Sequence, residues 1–203
     1  QVRRGRARST CRSAVPSTSG AGILATMAIR PVWDDDIAAI AAITNYYITT
    51  SAIHFAYEPV PESQILGYWK SHRDRFPWLV IEDAGQVVGF AKSGTWRDRA
   101  AYAWTAETGV YLADGARGRG LGRRVYLALL DELARRGFRS AVAGITLPND
   151  ASAALHVSLG FEPVGTFRDV GWKLGMWRDV AFWQKRFATD AAGPIEPKLL
   201  TVE

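Results

Sequence analysis

ETGVYLADGARGRGLGRRVYLALL, residues 107–130, changes character three times within one short run. It opens with strand-like alternation, Val110 and Leu112 against Tyr111. It then crosses a basic, glycine-rich turn and continues as an amphipathic helix carrying Val125, Leu129 and Leu133 with Leu130 alongside. Arginines and glycines between a strand and a helix point to an anion. Glycine lets backbone N–H groups approach the ligand, and the helix N-terminus adds its positive dipole end. Spacing tests which anion. A Walker A loop needs Gly-Lys-Ser/Thr, and here Gly122 is followed by Arg123-Arg124. A G-x-G-x-x-G fingerprint started at Gly118 meets Arg123 at its third glycine, and one started at Gly120 meets Val125. Both nucleotide patterns fail. What remains is R-x-x-G-x-G, from Arg117 to Gly122.

Working outward, Gly137 ends the helix as a C′ residue. SAVAGIT reads as a short apolar strand, LPND as a turn with Asp150 as N-cap, and ASAALHVSL as a helix closed by Gly160. FEPVGTFRDVG and RDVAFWQKRF alternate like a final hairpin. Upstream, AYAWTAETGVYLA is a strand, and PWLVIED and VVGFAKSGTW form a hairpin around AGQ. A helix starts near Glu62 and ends before Pro77. MAIRPVW is a first strand. Asp34-Asp35-Asp36 supplies the N-cap and acidic first turn of a helix that places Ile37, Ile40, Ile43/Thr44 and Tyr47 on one face. The order β-α-α-β-β-β-α-β-α-β-β predicts an α/β domain, a mixed central sheet with helices on both faces.

The chain has 203 residues, 48% of them hydrophobic, which suits one domain with a full core. Its formal charge of +5 is unevenly placed. Residues 1–26 hold Arg3, Arg4, Arg6, Arg8 and Arg12 and no acid, so residues 27–203 are formally neutral. A nucleic-acid partner loses its main support. Cys11 is the only cysteine, and with His54, His72 and His156 it makes no zinc spacing, so no metal is expected. No apolar run approaches the roughly 20 residues that cross a bilayer, and the expectation is a cytoplasmic protein without a membrane partner. Residues 1–26 read as a disordered or non-native extension ahead of Met27, 27–188 as the folded domain, and 189–203 as a loose C-terminal extension.

R-x-x-G-x-G after a strand resembles the pyrophosphate-binding motif of the GCN5-related N-acetyltransferase superfamily. Asn149 opening the helix through Leu155-His156, with Leu159-Gly160-Phe161 after it, resembles that superfamily's second motif. Over roughly residues 28–187 the chain is similar to the phosphinothricin N-acetyltransferase family, through IRPVWDDDIAAIAAITNYYI, GTWRDRAAYAWTAETGVYL, LPND, LHVSLGF and WRDVAFWQKRF. The resemblance implies a GCN5-related acetyltransferase fold and acetyl-CoA as the donor. It implies as acceptor the free amine of a small amino-acid analogue such as phosphinothricin or methionine sulfoximine.

Carried over position by position, Glu107 is the catalytic base, and His156 is a general acid or a positioning residue. Val110, Tyr111 and Leu112 offer backbone groups to the acetyl carbonyl and pantetheine amides. Arg117, Gly118, Arg119, Gly120, Leu121, Gly122 and Arg123 hold the pyrophosphate, and Asn149 the pantetheine side. Phe55, Arg97, Asp98, Arg99, Tyr102, Glu107, Thr108 and Gly109 form the acceptor pocket. The resemblance also implies a homodimer, with residues 164–187 near its interface. Gly109 stands where the family usually has Thr or Ser, and GWKLGMW departs around Trp172, Leu174 and Met176. Another acceptor (a polyamine, an aminoglycoside or a protein N-terminus) or a CoA-binding module without turnover stays open at this point.

Overall fold

The computed structural model describes residues 27–188 and Gly193. The two expected extensions, and Cys11, lie outside the described residues apart from Gly193.

Seven strands and four α-helices follow one another in the expected order. β1 (Ala28–Pro31) leads into α1 (Ile37–Thr50) and α2 (Glu62–His72), followed by β2 (Trp78–Asp83), β3 (Gln86–Thr95) and β4 (Thr105–Leu112). Then come α3 (Leu121–Arg135), β5 (Ser140–Thr146), α4 (Asp150–Ser158), β6 (Glu162–Lys173) and β7 (Met176–Arg186). They form one sheet in the order β1-β2-β3-β4-β5-β7-β6, with only β4 and β5 paired in parallel.

The alternation of β2 and β3 sorts the core into two layers. Trp78, Val80 and Phe90 pack under α1 and α2 with Ile37, Ile40 and Tyr47. Leu79, Ile81 and Ala91 face the other way, onto Val125, Leu129 and Leu133 of α3 and Leu159 at the end of α4. A strand buried on both faces reads as an unbroken apolar run, and WLVI does. The hairpin closes at Ala84 and Gly85, both with positive φ (51° and 77°), the backbone that a two-residue turn of matching twist requires.

Three expectations change in detail. Ala100–Tyr102 is a 3-10 turn, so β4 begins at Thr105 and the first residues of AYAWTAETGVYLA are not strand. Asp34–Asp36 forms its own 3-10 turn instead of the first turn of α1. Its buried member, Asp36, is gripped by both terminal nitrogens of Arg30 at 2.7 and 2.8 Å, a fork stronger than a local cap. The N-cap of α4 is Asn149, not Asp150: its side chain accepts from the Ser152 backbone N–H. An N-cap must stand just outside the helical backbone, and Asp150 is already within it.

Candidate active site

β4 and β5 are hydrogen-bonded partners only from Thr105 to Glu107 against Ser140 to Val142, although β4 continues to Leu112 and β5 to Thr146. The strands part there and leave a cleft. Ala113 N–H donates to Val88 O, which fixes the antiparallel ladder between β3 and β4. By its alternation, the backbone groups of Val110 and Leu112 point away from β3, into the cleft. The Leu112 carbonyl accepts there from the Tyr47 hydroxyl at 2.8 Å. The Tyr111 backbone is turned to β3, and its ring packs under α1 beside Phe90 and Tyr47. Of the three backbones expected to meet the thioester end of acetyl-CoA, the structure therefore offers two.

The cleft opens into a groove of about 350 Å³. Val110 and Leu112 line one wall, and Asn149, Ala151, Ser152 and Leu155 at the start of α4 the other. Its end is the glycine turn, with Arg117, Gly118, Gly120, Gly122 and Arg123 facing in. Gly118 and Gly120 have φ of 72° and 74°, and a β-carbon on either would meet nothing within 4 Å, so this backbone stands open to a ligand. Gly120 is also the N-cap of α3, whose first N–H groups are unpaired within the helix. These features fit a pyrophosphate.

Not every residue of the motif faces the groove. Leu121 is 1% exposed and belongs to the core. Arg119 turns out to Asp83 at 2.6 Å. Arg117 is steadied by Asp114 at 3.1 Å and by the faces of Tyr46 and Tyr47. Asn149 uses Oδ1 as a helix cap and keeps its amide N–H₂ for a ligand.

Glu107 is the last residue of β4 that pairs with β5, where the cleft begins. Alternation puts Glu107, Gly109 and Tyr111 on the α1/α2 face, and Thr108 on the α3 face. Its carboxylate reaches solvent, yet the surrounding protein pushes its pKa up, against the pull of Lys92 and Arg97. Lys92, the cross-strand partner of Gly109, lies on the same face and was not anticipated from the sequence. Burial pushes its pKa down, while Glu107 pulls it up. Tyr68 of α2 joins them, its hydroxyl 2.6 Å from where a β-carbon on Gly94 would stand, and Gly94 is the strand partner of Glu107.

The other acceptor residues gather less closely. Phe55 lies on the α1–α2 loop and packs on Gly171. Arg97 stacks on Trp96 and acts on Glu107 through charge. Asp98, Arg99 and Tyr102 are exposed on the β3–β4 loop. Thr108 is buried and faces away, its hydroxyl 2.8 Å from that of Tyr126.

That contact leads to His156, 3% exposed, which lines the floor of the cleft. Its Nδ1 lies 2.7 Å from the Ser152 carbonyl, an acceptor only, so Nδ1 carries the proton. Nε2 lies 3.2 Å from the Tyr126 hydroxyl, whose single proton is shared between Nε2 and the nearer Thr108 hydroxyl, since Thr108 itself donates to the Val142 carbonyl at 3.2 Å. Burial pushes the imidazole pKa down and keeps it neutral.

A cavity of about 610 Å³ lies at the far edge between β1, α2 and α3. It contains neither Glu107 nor any residue of the glycine turn. Among the described residues no cluster of His, Cys, Asp and Glu could hold a metal ion, and no helix is long and apolar enough to cross a membrane.

Three comparisons bear on this arrangement. The acetyltransferase (GNAT) family profile matches residues 40–161. The phosphinothricin N-acetyltransferase of Streptomyces viridochromogenes is 43% identical over 170 residues, covering 83% of this chain and 93% of that protein. The L-methionine sulfoximine/L-methionine sulfone acetyltransferase of Salmonella typhimurium is 36% identical over 167 residues, covering 82% and 98%. Among solved structures, a GNAT superfamily phosphinothricin acetyltransferase from Sinorhizobium meliloti, in complex with acetyl-CoA, superposes with a TM-score of 0.80 at 30% identity. It covers 85% of this chain and 95% of that one.

Proposed function

Because this chain belongs to the acetyltransferase (GNAT) family and is an acetyl-CoA-dependent N-acetyltransferase, we propose that its acceptor is the free α-amine of a small amino-acid analogue. Phosphinothricin and methionine sulfoximine are the compounds meant. The observation that carries this reading is the position of Glu107, at the point where β4 parts from β5, on the face that also holds Lys92 and within the charge of Arg97 on the β3–β4 loop. The cations favour an acceptor with acidic or polar oxygens and disfavour a polyamine or an aminoglycoside.

An ammonium has no lone pair. Glu107 removes one proton, directly or through water, and a raised pKa makes it a better base for the task. The amine nitrogen then attacks the thioester carbon. The backbone groups of Val110 and Leu112 that face the cleft supply a donor to the oxygen as it becomes negative. The carbon–sulfur bond breaks, the sulfur takes a proton, and the amide and free CoA leave. Arg117, Arg123 and the N-terminus of α3 hold the pyrophosphate meanwhile. His156, buried and bonded through Nδ1 to the Ser152 carbonyl, acts here by holding Ser152 in place along the cleft.

We infer that the active form is a homodimer built on the β6–β7 hairpin. β6 is an edge strand, and Val164, Phe167, Val170, Trp172, Met176 and Trp177 are about half exposed or more. So large an apolar edge is unusual on a lone soluble chain.

Free-thiol release from acetyl-CoA, measured with phosphinothricin, methionine sulfoximine, spermidine and an aminoglycoside, tests the acceptor. Turnover confined to the last two would overturn it. No turnover with any amine, despite tight CoA binding, would favour a binding module.

A further inference from the structure

Beneath α1 and α2 lies a second cavity, of about 190 Å³, outside the acetyl-CoA groove. Its walls are Trp78 and Phe90, and its polar lining is Lys92, His54, Tyr68, Gln64 and Thr44. No aspartate or glutamate lines it. Glu107 acts on Lys92 through charge from outside the cavity, but no carboxylate meets the ammonium within it, and buried charges are normally paired. The Lys92 ammonium is held 5.6 Å and 5.7 Å from the ring centroids of Trp78 and Tyr111. The rings fix the side chain, but they do not neutralise it.

The neutral groups around it present donors. His54 Nδ1 accepts from the Ala56 backbone N–H at 3.2 Å, so in the neutral ring the proton sits on Nε2. Burial, with Lys92 and Lys173 adding to it, lowers the pKa of His54 to about 4, so the ring is uncharged at neutral pH. Tyr68, Gln64 and Thr44 contribute a phenol, an amide and a hydroxyl.

Two relationships tie this cavity to the reaction. Tyr68 stands over Gly94, the strand partner of Glu107. Lys92 is the strand partner of Gly109, which leaves the β4 side of that pair without a side chain. Opposite residues of an antiparallel pair have β-carbons about 4.5–5.5 Å apart, so an ammonium on β3 reaches the space that a side chain on β4 would otherwise fill.

Resting on the amino-acid acceptor reading above, we propose that this cavity is the subsite for the acceptor's side-chain oxyanion, with Lys92 as its counter-charge. The enzyme then prefers an amino acid bearing a second acidic group on its side chain to one whose side chain is polar but neutral. At about 30 Å³ for each water-sized group, the volume suits a headgroup of roughly six heavy atoms.

Phosphinothricin and L-methionine sulfone test this directly. Their side chains share one shape, two oxygens and a methyl on a tetrahedral centre, and differ by one negative charge. The wild type is expected to show a higher kcat/KM for phosphinothricin. In Lys92→Met that ratio between the two acceptors should fall about 10- to 100-fold, mostly through the KM of phosphinothricin. Lys92→Arg should restore part of the preference, and calorimetry with CoA serves as the check that each variant is folded. A wild type that prefers the sulfone, or equal losses on both acceptors in Lys92→Met, overturns the proposal. Equal losses together with a shifted pH profile would make Lys92 only an electrostatic neighbour of Glu107. If neither compound is acetylated while another amine is, the acceptor reading has failed, and the subsite falls with it.

Discussion

The ring of Phe55 lies so close to the backbone of Gly171 that a β-carbon on Gly171 would stand 2.2 Å from Cε2. Two residues on, Lys173 runs inward from β6 and is only 4% exposed. Its ammonium donates to the Ile48 carbonyl at 2.9 Å and also to the Ala56 carbonyl, while the Tyr57 hydroxyl donates to the Trp172 carbonyl at 2.5 Å. The α1–α2 loop, which carries His54 and Phe55, is therefore fastened to the edge hairpin from below and from the side. These bonds join the loop expected to wall the acceptor pocket to the hairpin proposed for dimerisation.

Gly171→Ala should displace the Phe55 ring, because a β-carbon 2.2 Å from its edge leaves it no room where it stands. The expected outcome is a rise of about tenfold in acceptor KM with acetyl-CoA KM unchanged. Steady-state kinetics with each substrate varied in turn checks it. An equal rise in both would mean that the loop does not serve the acceptor alone.

Glu107→Gln should lower kcat by about 10²–10⁴-fold with little change in acetyl-CoA affinity, since the amide keeps the shape but cannot accept a proton. The pH profile follows from the direction of the shift. Burial raises the carboxyl pKa above its ordinary 4.5, and the base is active when deprotonated. The acid limb of kcat/KM should thus rise with pH through a value above 4.5, and be absent from the residual activity of Glu107→Gln. Lys92 favours the carboxylate, so Lys92→Met should move that limb higher still.

Arg117→Glu and Gly120→Asp should each weaken CoA binding about tenfold or more. A unit charge 4 Å from the pyrophosphate is worth on the order of 1–4 kcal/mol between water-like and surface dielectrics. Gly120 has room for the side chain but holds φ at 74°, so Gly120→Ala separates backbone strain from charge. Calorimetry that finds unchanged affinity in both charged variants would remove the turn from the binding site.

Light scattering at micromolar concentration should give twice the chain mass. Trp177→Glu, on the exposed hairpin, should give the monomer, because a charge among Trp172, Met176 and Phe167 has no partner in a buried apolar interface. A wild-type monomer with full activity would dispose of the dimer.

Much of this was legible from residue order. Val125, Leu129 and Leu133 recur at helical spacing and are buried on one stripe, and the glycine turn lies where its spacing put it. The acceptor site was less legible, for two reasons. Alternation places Glu107 and Thr108 on opposite faces, so assigning both to one pocket asked more of a strand than its period allows. Lys92, two residues after the buried Phe90, stands in the core phase of its strand, and a lysine there is a signal that alternation can reveal. Tyr68 and Gln64 carried no such signal. Only the packing of α2 against α1 brings them to the cavity, and nothing in AYAWTAETGVYLA marks where β5 stops following β4.

Gly109 offers the sharpest remaining test of the pocket. A β-carbon there would meet only the Tyr111 ring, at 3.5 Å, an ordinary contact, so Gly109→Thr can be accommodated without rearrangement. Its φ lies outside the left-handed region, so the backbone does not require glycine. The new hydroxyl would enter the space opposite Lys92, where it can donate to an acceptor oxygen. A neutral hydrogen bond is worth about 0.5–1.5 kcal/mol net, which is about 2- to 12-fold in kcat/KM. The gain should be larger for methionine sulfone, whose neutral headgroup draws less from the ammonium. For phosphinothricin the hydroxyl competes with a charge-assisted bond already made, and the change should be small or negative. Measuring kcat/KM for both acceptors in Gly109→Thr and in the Gly109→Thr, Lys92→Met pair gives the coupling between the two positions. Strictly additive effects would show that the two residues do not share an acceptor.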